Sequence, residues 1–334
     1  MSPESQRPTL GSRLSFVWWP NASRPWYLVA AVLTGLVFKL SWTGAGYLPS
    51  TDGAAVLTID DRWGTIIGIL AAFLVASGNW VLRQSARDWS RIAVADAERA
   101  PLEAATFAPS WRATLLCTTA GLLMGVLQLW ASGDLTMMFE ARPPTLLAAS
   151  ALVLLFWTLA AQVGGNFLIV IRGFYRLGLR IEPDPLRIES LTPFSVVGLR
   201  ILATNATLSA LLILLTGLGN ADLLGLAVPL GFSALVSVLC FLLPQLGARQ
   251  SLRRAKRRML AQLDERLEEL EFPRPRALHS DTVSKVADLA ALRAQISAAP
   301  DWPVTGVGWL RFTMVLLLPA ASWGLDKLIT RLLS

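Results

Sequence analysis

The chain alternates between long apolar runs and shorter polar connections. Six runs have about the 20 residues that a helix needs to cross the roughly 30 Å hydrocarbon core of a bilayer. They cover residues 27–47, 63–82, 112–132, 145–171, 197–217 and 225–244. The pattern therefore predicts an all-α, polytopic membrane protein whose six transmembrane helices form three hairpins, in a membrane domain over residues 27–245.

The connections differ in charge from one side to the other. Those after the first, third and fifth runs carry Arg62 and Arg142 as their basic residues. The opposite side is rich in arginine. It carries Arg7, Arg13, Arg24, Arg83, Arg87, Arg91, Arg99, Arg172, Arg176, Arg180 and Arg187, and then a basic run over 249–258. Since cytoplasmic loops hold the excess of Lys and Arg, residues 1–26 are predicted to be a cytoplasmic N-terminal arm.

Two of the helices are predicted to continue beyond the membrane. The fourth run extends through Arg172 to Arg176, and Glu182-Pro183-Asp184-Pro185 then stops it, because proline cannot donate to the helical hydrogen-bond ladder. The basic stretch 83–110 is predicted to continue the second helix and to break near Pro101.

Beyond Pro244 the pattern becomes amphipathic. Residues 246–271 and 281–298 predict two antiparallel helices, which form a cytoplasmic helical hairpin over 246–300. Each helix has an apolar seam that packs on its partner or on a neighbouring subunit. The seams consist of Leu260, Leu263, Leu267 and Leu270, and of Val286, Leu289, Leu292 and Ile296.

The segment 301–334 allows two interpretations. Residues 304–318 are apolar but contain Arg311, and Pro319 follows them. A tilted seventh span would place the C-terminus outside, whereas a re-entrant or interfacial helix would keep it inside.

Composition supports a membrane location. Hydrophobic residues make up 54% of the chain and charged residues 16%, and there are 13 Trp against 3 Tyr. In this context the net charge of +7 indicates orientation in a bacterial inner membrane and attraction to anionic lipid, and no nucleic-acid partner. The run predicted to lie against the lipid of the inner leaflet comprises Arg249, Arg253, Arg254, Arg257 and Arg258.

The sequence carries no pattern typical of an enzyme. The chain has one histidine, His279, and two cysteines, Cys117 and Cys240, and it lacks the HExxH, GxSxG and P-loop motifs. We therefore predict no catalytic residues, no cofactor and no metal site.

Polar residues inside the spans are the candidates for function, since each needs an internal partner in hydrocarbon. Thr158, Gln162 and Asn166 recur at steps of four in the fourth run, and Asn205 and Ser209 form a similar stripe in the fifth. They either hydrogen-bond neighbouring helices or line a pathway for an ion or a small solute.

Two cations in apolar segments are candidates for a pore or a gate. Lys39 is the only lysine in a predicted span and lies close to Trp42, so that it either snorkels to the outer interface or faces a cavity. Arg311 lies in the apolar part of the C-terminal segment, either as an interfacial anchor with Trp309 or on a pore axis.

The last hundred residues resemble a widespread group of uncharacterised bacterial inner-membrane proteins. The elements that carry this resemblance are Leu243-Pro244, Ala255-Lys256, Asp301-Trp302-Pro303, Leu310-Arg311-Phe312, Leu318-Pro319 and Ser322-Trp323. The group usually has a His-Pro-Asp element after its fourth helix, where this chain has Glu182-Pro183-Asp184. The resemblance implies an architecture and no activity.

These features predict a membrane transport protein. The leading hypothesis is a homo-oligomeric ion channel or pore whose cytoplasmic hairpins assemble or gate it. The alternatives are a secondary transporter of a small solute and a non-transporting scaffold or signalling protein in the membrane. The scarcity of carboxylates in the predicted spans speaks against proton or sodium coupling.

Overall fold

The computed structural model describes residues 24–46, 61–92, 102–103, 106–107, 110–131, 144–217, 223–271, 280–304 and 306–333. Regular structure within these ranges is helical, with eight long α-helices and a 3-10 turn at Ile188–Leu191. The helices are α1 Arg24–Gly46, α2 Asp61–Ser90, α3 Trp111–Ala131, α4 Pro144–Arg180, α5 Thr192–Gly217, α6 Leu223–Glu271, α7 Ser280–Ala298 and α8 Gly306–Leu333.

Six helices in the described part of the chain are long and apolar enough to cross a membrane. The candidate spans are Trp63–Ser90, Trp111–Trp130, Leu147–Arg180, Ile188–Leu215, Ser233–Glu269 and Gly306–Leu325. Five of them overlap predicted spans. The sixth is the C-terminal helix α8, whereas the first predicted span, 27–47, corresponds to the shorter apolar stretch Tyr27–Thr43 of α1. The architecture is that of a multi-pass helical membrane protein.

Helices that are adjacent in the sequence also pack together. The pairs α1 and α2, α3 and α4, and α5 and α6 are in contact. Helix α4 also packs on α6, and α2 packs on both α4 and α5, so that α2, α4, α5 and α6 form the centre of the bundle. Helices α1, α3 and α8 lie at its periphery, and α7 packs on α6 outside it.

Glycines set the closest contact between two central helices. A Cβ added to Gly178 of α4 would lie 2.6 Å from the backbone nitrogen of Ala248, and a Cβ on Gly247 of α6 would overlap the Tyr175 carbonyl. Because both glycines lack a side chain, the backbones of α4 and α6 approach closely enough for Ser251 to donate a hydrogen bond to the Gly178 carbonyl.

A buried aromatic cluster fills the same end of the bundle. Trp89 of α2 makes an edge-to-face contact with Phe174 of α4 at a centroid distance of 5.2 Å, and Phe174 contacts Phe194 of α5 at 5.8 Å. All three side chains are at most 1% exposed. Such pairs stabilise beyond their buried area by about 1 kcal/mol each, which fixes α2, α4 and α5 to one another.

The basic residues gather at this end. We call it the basic end, defined by residues 83–92 at the end of α2 and just after it, 172–187 at the end of α4 and just after it, 192–200 of α5 and 245–258 of α6. Contacts between the helices show which of their residues lie at the same height along the bundle. Gly178 meets Ala248, Gly198 meets Phe241, and Arg200 meets Asp88.

Three helices continue beyond the ends of their apolar runs. Helix α4 continues to Arg180 and ends before the two prolines, in agreement with its predicted extension. Helix α2 continues to Ser90, and the predicted break near Pro101 lies outside the described residues. Helix α6 passes through Pro244 without ending and reaches Glu271, so that the membrane part and the hairpin arm form one helix about 74 Å long.

Pro244 does not end α6, because its neighbours hold the turn in place. Proline removes one backbone hydrogen bond and its ring crowds the carbonyl four residues earlier. In that turn the Gln245 side-chain amide donates to the Phe241 carbonyl at 2.9 Å, and Gln245 is completely buried. Packing of α6 on α4 and α5 then stabilises the helix on both sides of the proline.

The second half of α6 and α7 lie side by side, as expected from their seams. Leu263 is 7% exposed and Ile296 is 2% exposed, while Arg293 of α7 donates to Asp264 of α6 at 2.7 Å. The side chain of Leu270 lies outside the described residues.

Candidate functional site: polar groups at the basic end

Three of the five predicted pathway residues lie in contacts between helices. Gln162 of α4 donates its amide to the Thr118 hydroxyl of α3 at 3.1 Å. The hydroxyl of Thr158 donates to the Leu154 carbonyl within α4. The backbone of Thr158 packs closely against Gly121 of α3. These residues hold α3 on α4, which is the helix-packing interpretation of the polar stripe.

Ser209 behaves in the same way on the other side of the bundle. Its hydroxyl lies 3.0 Å from the hydroxyl of Ser233, which joins α5 to α6. Asn205 is only half-buried on α5. Asn166, the remaining candidate, is 8% exposed, and its amide nitrogen has no hydrogen-bond partner in the described structure.

The two candidate cations lie near opposite ends of the bundle. Lys39 of α1 donates to the Thr65 hydroxyl of α2 at 2.7 Å, so that it links the first helical pair. Arg311 is exposed on α8. Its neighbour Phe312 stacks on Phe241 of α6 at 4.4 Å, which places Arg311 at the level of the basic end rather than in the middle of the membrane.

Four of the five arginines predicted to lie against lipid have protein partners. The guanidinium of Arg249 lies over the Trp302 ring at 4.1 Å, and Arg253 forms an ion pair with Asp301 at 3.2 Å. Arg254 donates to the Leu179 carbonyl at 2.7 Å, and Arg258 pairs with Glu182 at 3.1 Å. Contact of this run with lipid stays a prediction, and among these five arginines Arg257 alone is exposed without a partner in the described structure.

Asp301 joins the segment after α7 to α6. Lys256 donates to its carboxylate at 3.2 Å and also to the Ala299 carbonyl at 2.8 Å. The hydrogen bond from Lys256, reinforced by Arg253 and opposed by desolvation, lowers the pKa of the Asp301 carboxyl. This clamp fixes the start of α8 relative to α6.

The sequence analysis missed a buried ion pair between α2 and α5. Arg200 donates to Asp88 at 2.8 Å, and the two side chains are only 12% and 8% exposed. The guanidinium of Arg200 also lies 5.4 Å from the ring centre of Trp80. Two signals could have found this pair: an arginine within the fifth apolar run, and an acid, Asp88, between Arg87 and Arg91 just after the second run.

Four further polar atoms of the central helices are buried without a hydrogen-bond partner in the described structure. They are Ser85 Oγ and Trp89 Nε1 of α2, Asn166 Nδ2 of α4 and Gln245 Oε1 of α6. Buried polar groups in proteins are otherwise nearly always paired. With the ion pair of Asp88 and Arg200, these are the polar groups of the central helices that make up the candidate functional site.

The site offers charge and hydrogen bonding. Among the described residues no three His, Cys, Asp or Glu side chains come together in a way that could hold a metal ion. The arrangement can bind or guide a polar solute, or it can hold the central helices in one relative position.

Comparison with known proteins gives no relative from which a role could be transferred. The chain matches no protein-family model, no curated protein and no solved structure. The resemblance of its last hundred residues to a group of inner-membrane proteins stays a prediction.

The contact between Gln162 and Thr118 predicts a small effect of substitution. We expect Gln162→Leu and Thr118→Val each to lower the free energy of unfolding by at most about 1 kcal/mol, since hydrogen bonds between membrane helices average about 0.6 kcal/mol. In a double-mutant cycle, thermal unfolding in detergent should give a coupling energy of that size. Transport that collapses in Gln162→Leu but persists in Thr118→Val would show that the amide lines a pathway.

Proposed function

We propose that this is a membrane transport protein, a homo-oligomeric ion channel of the bacterial inner membrane with its N-terminus in the cytoplasm. The gathering of arginines at one end of the bundle supports this orientation, because basic residues are retained on the cytoplasmic side. The packing of Gln162, Thr158 and Ser209 inside the protomer favours a permeation path between subunits.

One observation carries the proposal: α8 is an apolar helix of membrane-spanning length that is attached by one side only. It packs on α5 and stacks Phe312 on Phe241 of α6. Only 6% of the most apolar stretch of α8 is buried. Leu310, Met314 and Leu317 are each more than half exposed. In the proposed ring this face meets the neighbouring subunit, and the exposed Arg311 lies at the cytoplasmic mouth.

The hairpin of α6 and α7 is the proposed gating or assembly element. It connects to α8 through the Asp301 clamp and through an aromatic series in which Trp302 contacts Trp309 at 6.1 Å and Trp309 contacts Phe312 at 5.8 Å. Because Arg249 of α6 holds Trp302, a movement of the hairpin arm is transmitted directly to the cytoplasmic half of α8.

Two measurements on one preparation test the channel. Native mass spectrometry of the full chain in nanodiscs should give a closed ring of four or more subunits, and planar bilayers should show passive currents. A ring of positive charge at a pore mouth concentrates anions about tenfold or more. We therefore expect Arg311→Gln to lower the anion-to-cation permeability ratio by about tenfold.

The matched control is Arg257→Gln, which removes the same charge from an exposed position on the hairpin arm. It should leave the permeability ratio unchanged. A strict monomer without current would contradict the proposal, as would equal effects of the two substitutions.

The Asp88–Arg200 pair favours a secondary transporter as the second candidate. It supplies a buried carboxylate at the end of the candidate span Trp63–Ser90, beyond the predicted span 63–82, although carboxylates are scarce in the predicted spans. A transporter would be a monomer or dimer with saturable uptake, and Asp88→Asn would abolish coupled uptake while leaving substrate binding measurable.

A further inference from the structure

Helix α4 carries three arginines on one side of its last two turns. Arg172, Arg176 and Arg180 follow one another at steps of four, and all three are exposed. None of them forms an ion pair within the described chain, although other arginines nearby do so. Leu168, one turn earlier on the same side, is 52% exposed. The side of α4 thus changes from apolar to strongly basic within one helical turn.

Like charges four residues apart on a helix destabilise it by a few tenths of a kcal/mol, and an anion beside the stripe would offset this repulsion. The two acids closest in the chain are already engaged: Glu182 pairs with Arg258, and Asp184 pairs with Arg187. The acidic half of α6 is too far away. Since Gly178 contacts Ala248, a residue such as Glu265 lies about 26 Å further along α6.

The acidic hairpin residues of a second copy are also too far away to supply the anion. In a ring of subunits around an axis normal to the membrane, equivalent residues lie at one depth. The exposed acids of a neighbouring hairpin would therefore also lie more than 20 Å below the stripe, by the helical rise.

The level of the stripe matches that of lipid phosphates. Arg172 lies six residues, or about 9 Å, before Gly178, which places it level with residues 242–244 of α6. There the apolar part of α6 ends and its basic part begins. Arg172 and Arg176 are thus at the boundary of the hydrocarbon core, and Leu168 lies just inside it.

We propose that this side of α4 binds an anionic phospholipid of the leaflet at the basic end. The guanidinium groups of Arg172 and Arg176 hold the phosphate, which matches the donor geometry of arginine, and an acyl chain lies along Leu168. Arg180 adds positive charge next to the headgroup. This site differs from the predicted lipid surface over 249–258. The proposal depends on the chain lying in a membrane, and it does not depend on the chain conducting ions.

The test is lipid titration of the purified full chain in neutral detergent, followed by native mass spectrometry and thermal unfolding. We expect phosphatidylglycerol to remain bound and to raise the melting temperature, and phosphatidylcholine to do neither. Arg172→Gln together with Arg176→Gln should weaken phosphatidylglycerol binding about thirty-fold, which corresponds to about 2 kcal/mol.

The control is the double variant Arg257→Gln, Arg266→Gln, which removes the same charge from exposed positions on the hairpin arm and should bind like the native chain. If the α4 double variant does not fold, the single variants should each weaken binding about five-fold. Equal binding by both double variants would overturn the proposal. So would full competition by inorganic phosphate, which has no acyl chain to contact Leu168.

Discussion

Replacing Asp88 with alanine is expected to lower the free energy of unfolding by about 3 kcal/mol or more. The substitution leaves Arg200 buried between α2 and α5 without its carboxylate, and an uncompensated buried charge costs more than the pair itself contributes. Arg200 keeps only its contact with the ring of Trp80. Thermal unfolding of the purified protein in detergent measures this loss of stability. The contact between α2 and α5 should be the one that is weakened most.

A double variant separates this charge effect from a packing effect. Asp88→Leu combined with Arg200→Met removes both charges at similar volume, and it should recover most of the lost stability. The exposed pair of Arg187 and Asp184 provides the control, since its side chains are 85% and 46% exposed. Asp184→Ala should cost less than about 1 kcal/mol. A comparable loss in Asp88→Ala and Asp184→Ala would show that burial of the pair is unimportant.

The second large effect is expected where α4 crosses α6. Gly178→Ala places a methyl group 2.6 Å from the backbone nitrogen of Ala248 and 2.9 Å from the Gly247 carbonyl carbon. Backbone atoms cannot rotate away as a side chain can, so that the two helices must separate. Overpacking of this kind costs about 1 to 3 kcal/mol. We expect a lower melting temperature and loss of the hydrogen bond from Ser251 to Gly178.

Helix α4 itself contains the matched control. A Cβ added to Gly164 meets no atom within 4 Å, although the residue lies in the same helix. Gly164→Ala should therefore leave stability unchanged or raise it by up to about 1 kcal/mol, because alanine favours the helix. If both alanine variants unfold at the same temperature, the close approach of α4 and α6 does not limit stability.

Three contacts that stabilise the bundle lie at the basic end. The Asp88–Arg200 pair joins α2 to α5, the glycine crossing joins α4 to α6, and the Asp301 clamp joins α6 to the start of α8. The hairpin arm is continuous with the membrane part of α6. In the proposed channel, a force on the hairpin therefore reaches the pore helix through rigid helix and direct contacts.

Apolar run length alone predicted most of the helices. Hydrocarbon requires every backbone polar group to be satisfied within the segment, so that an apolar run of about 20 residues has a single structural solution. This is why the helices over 112–132, 145–171 and 197–217 correspond closely to α3, α4 and α5. The prolines were less informative. Pro183 and Pro185 follow the end of α4, whereas Pro244 and Pro319 lie inside α6 and α8.

The sequence by itself determined that the chain is helical, with helices long and apolar enough to cross a membrane and with one basic end, and it identified the polar residues that need partners. Which partner each residue has was decided by tertiary structure. Gln162 faces Thr118, 44 residues away, and Asp88 faces Arg200, 112 residues away. Spacing along one helix shows which side chains share a face, but the partner depends on how two helices cross. That crossing depends on close contacts such as Gly178 with Ala248, which no pattern in one segment contains.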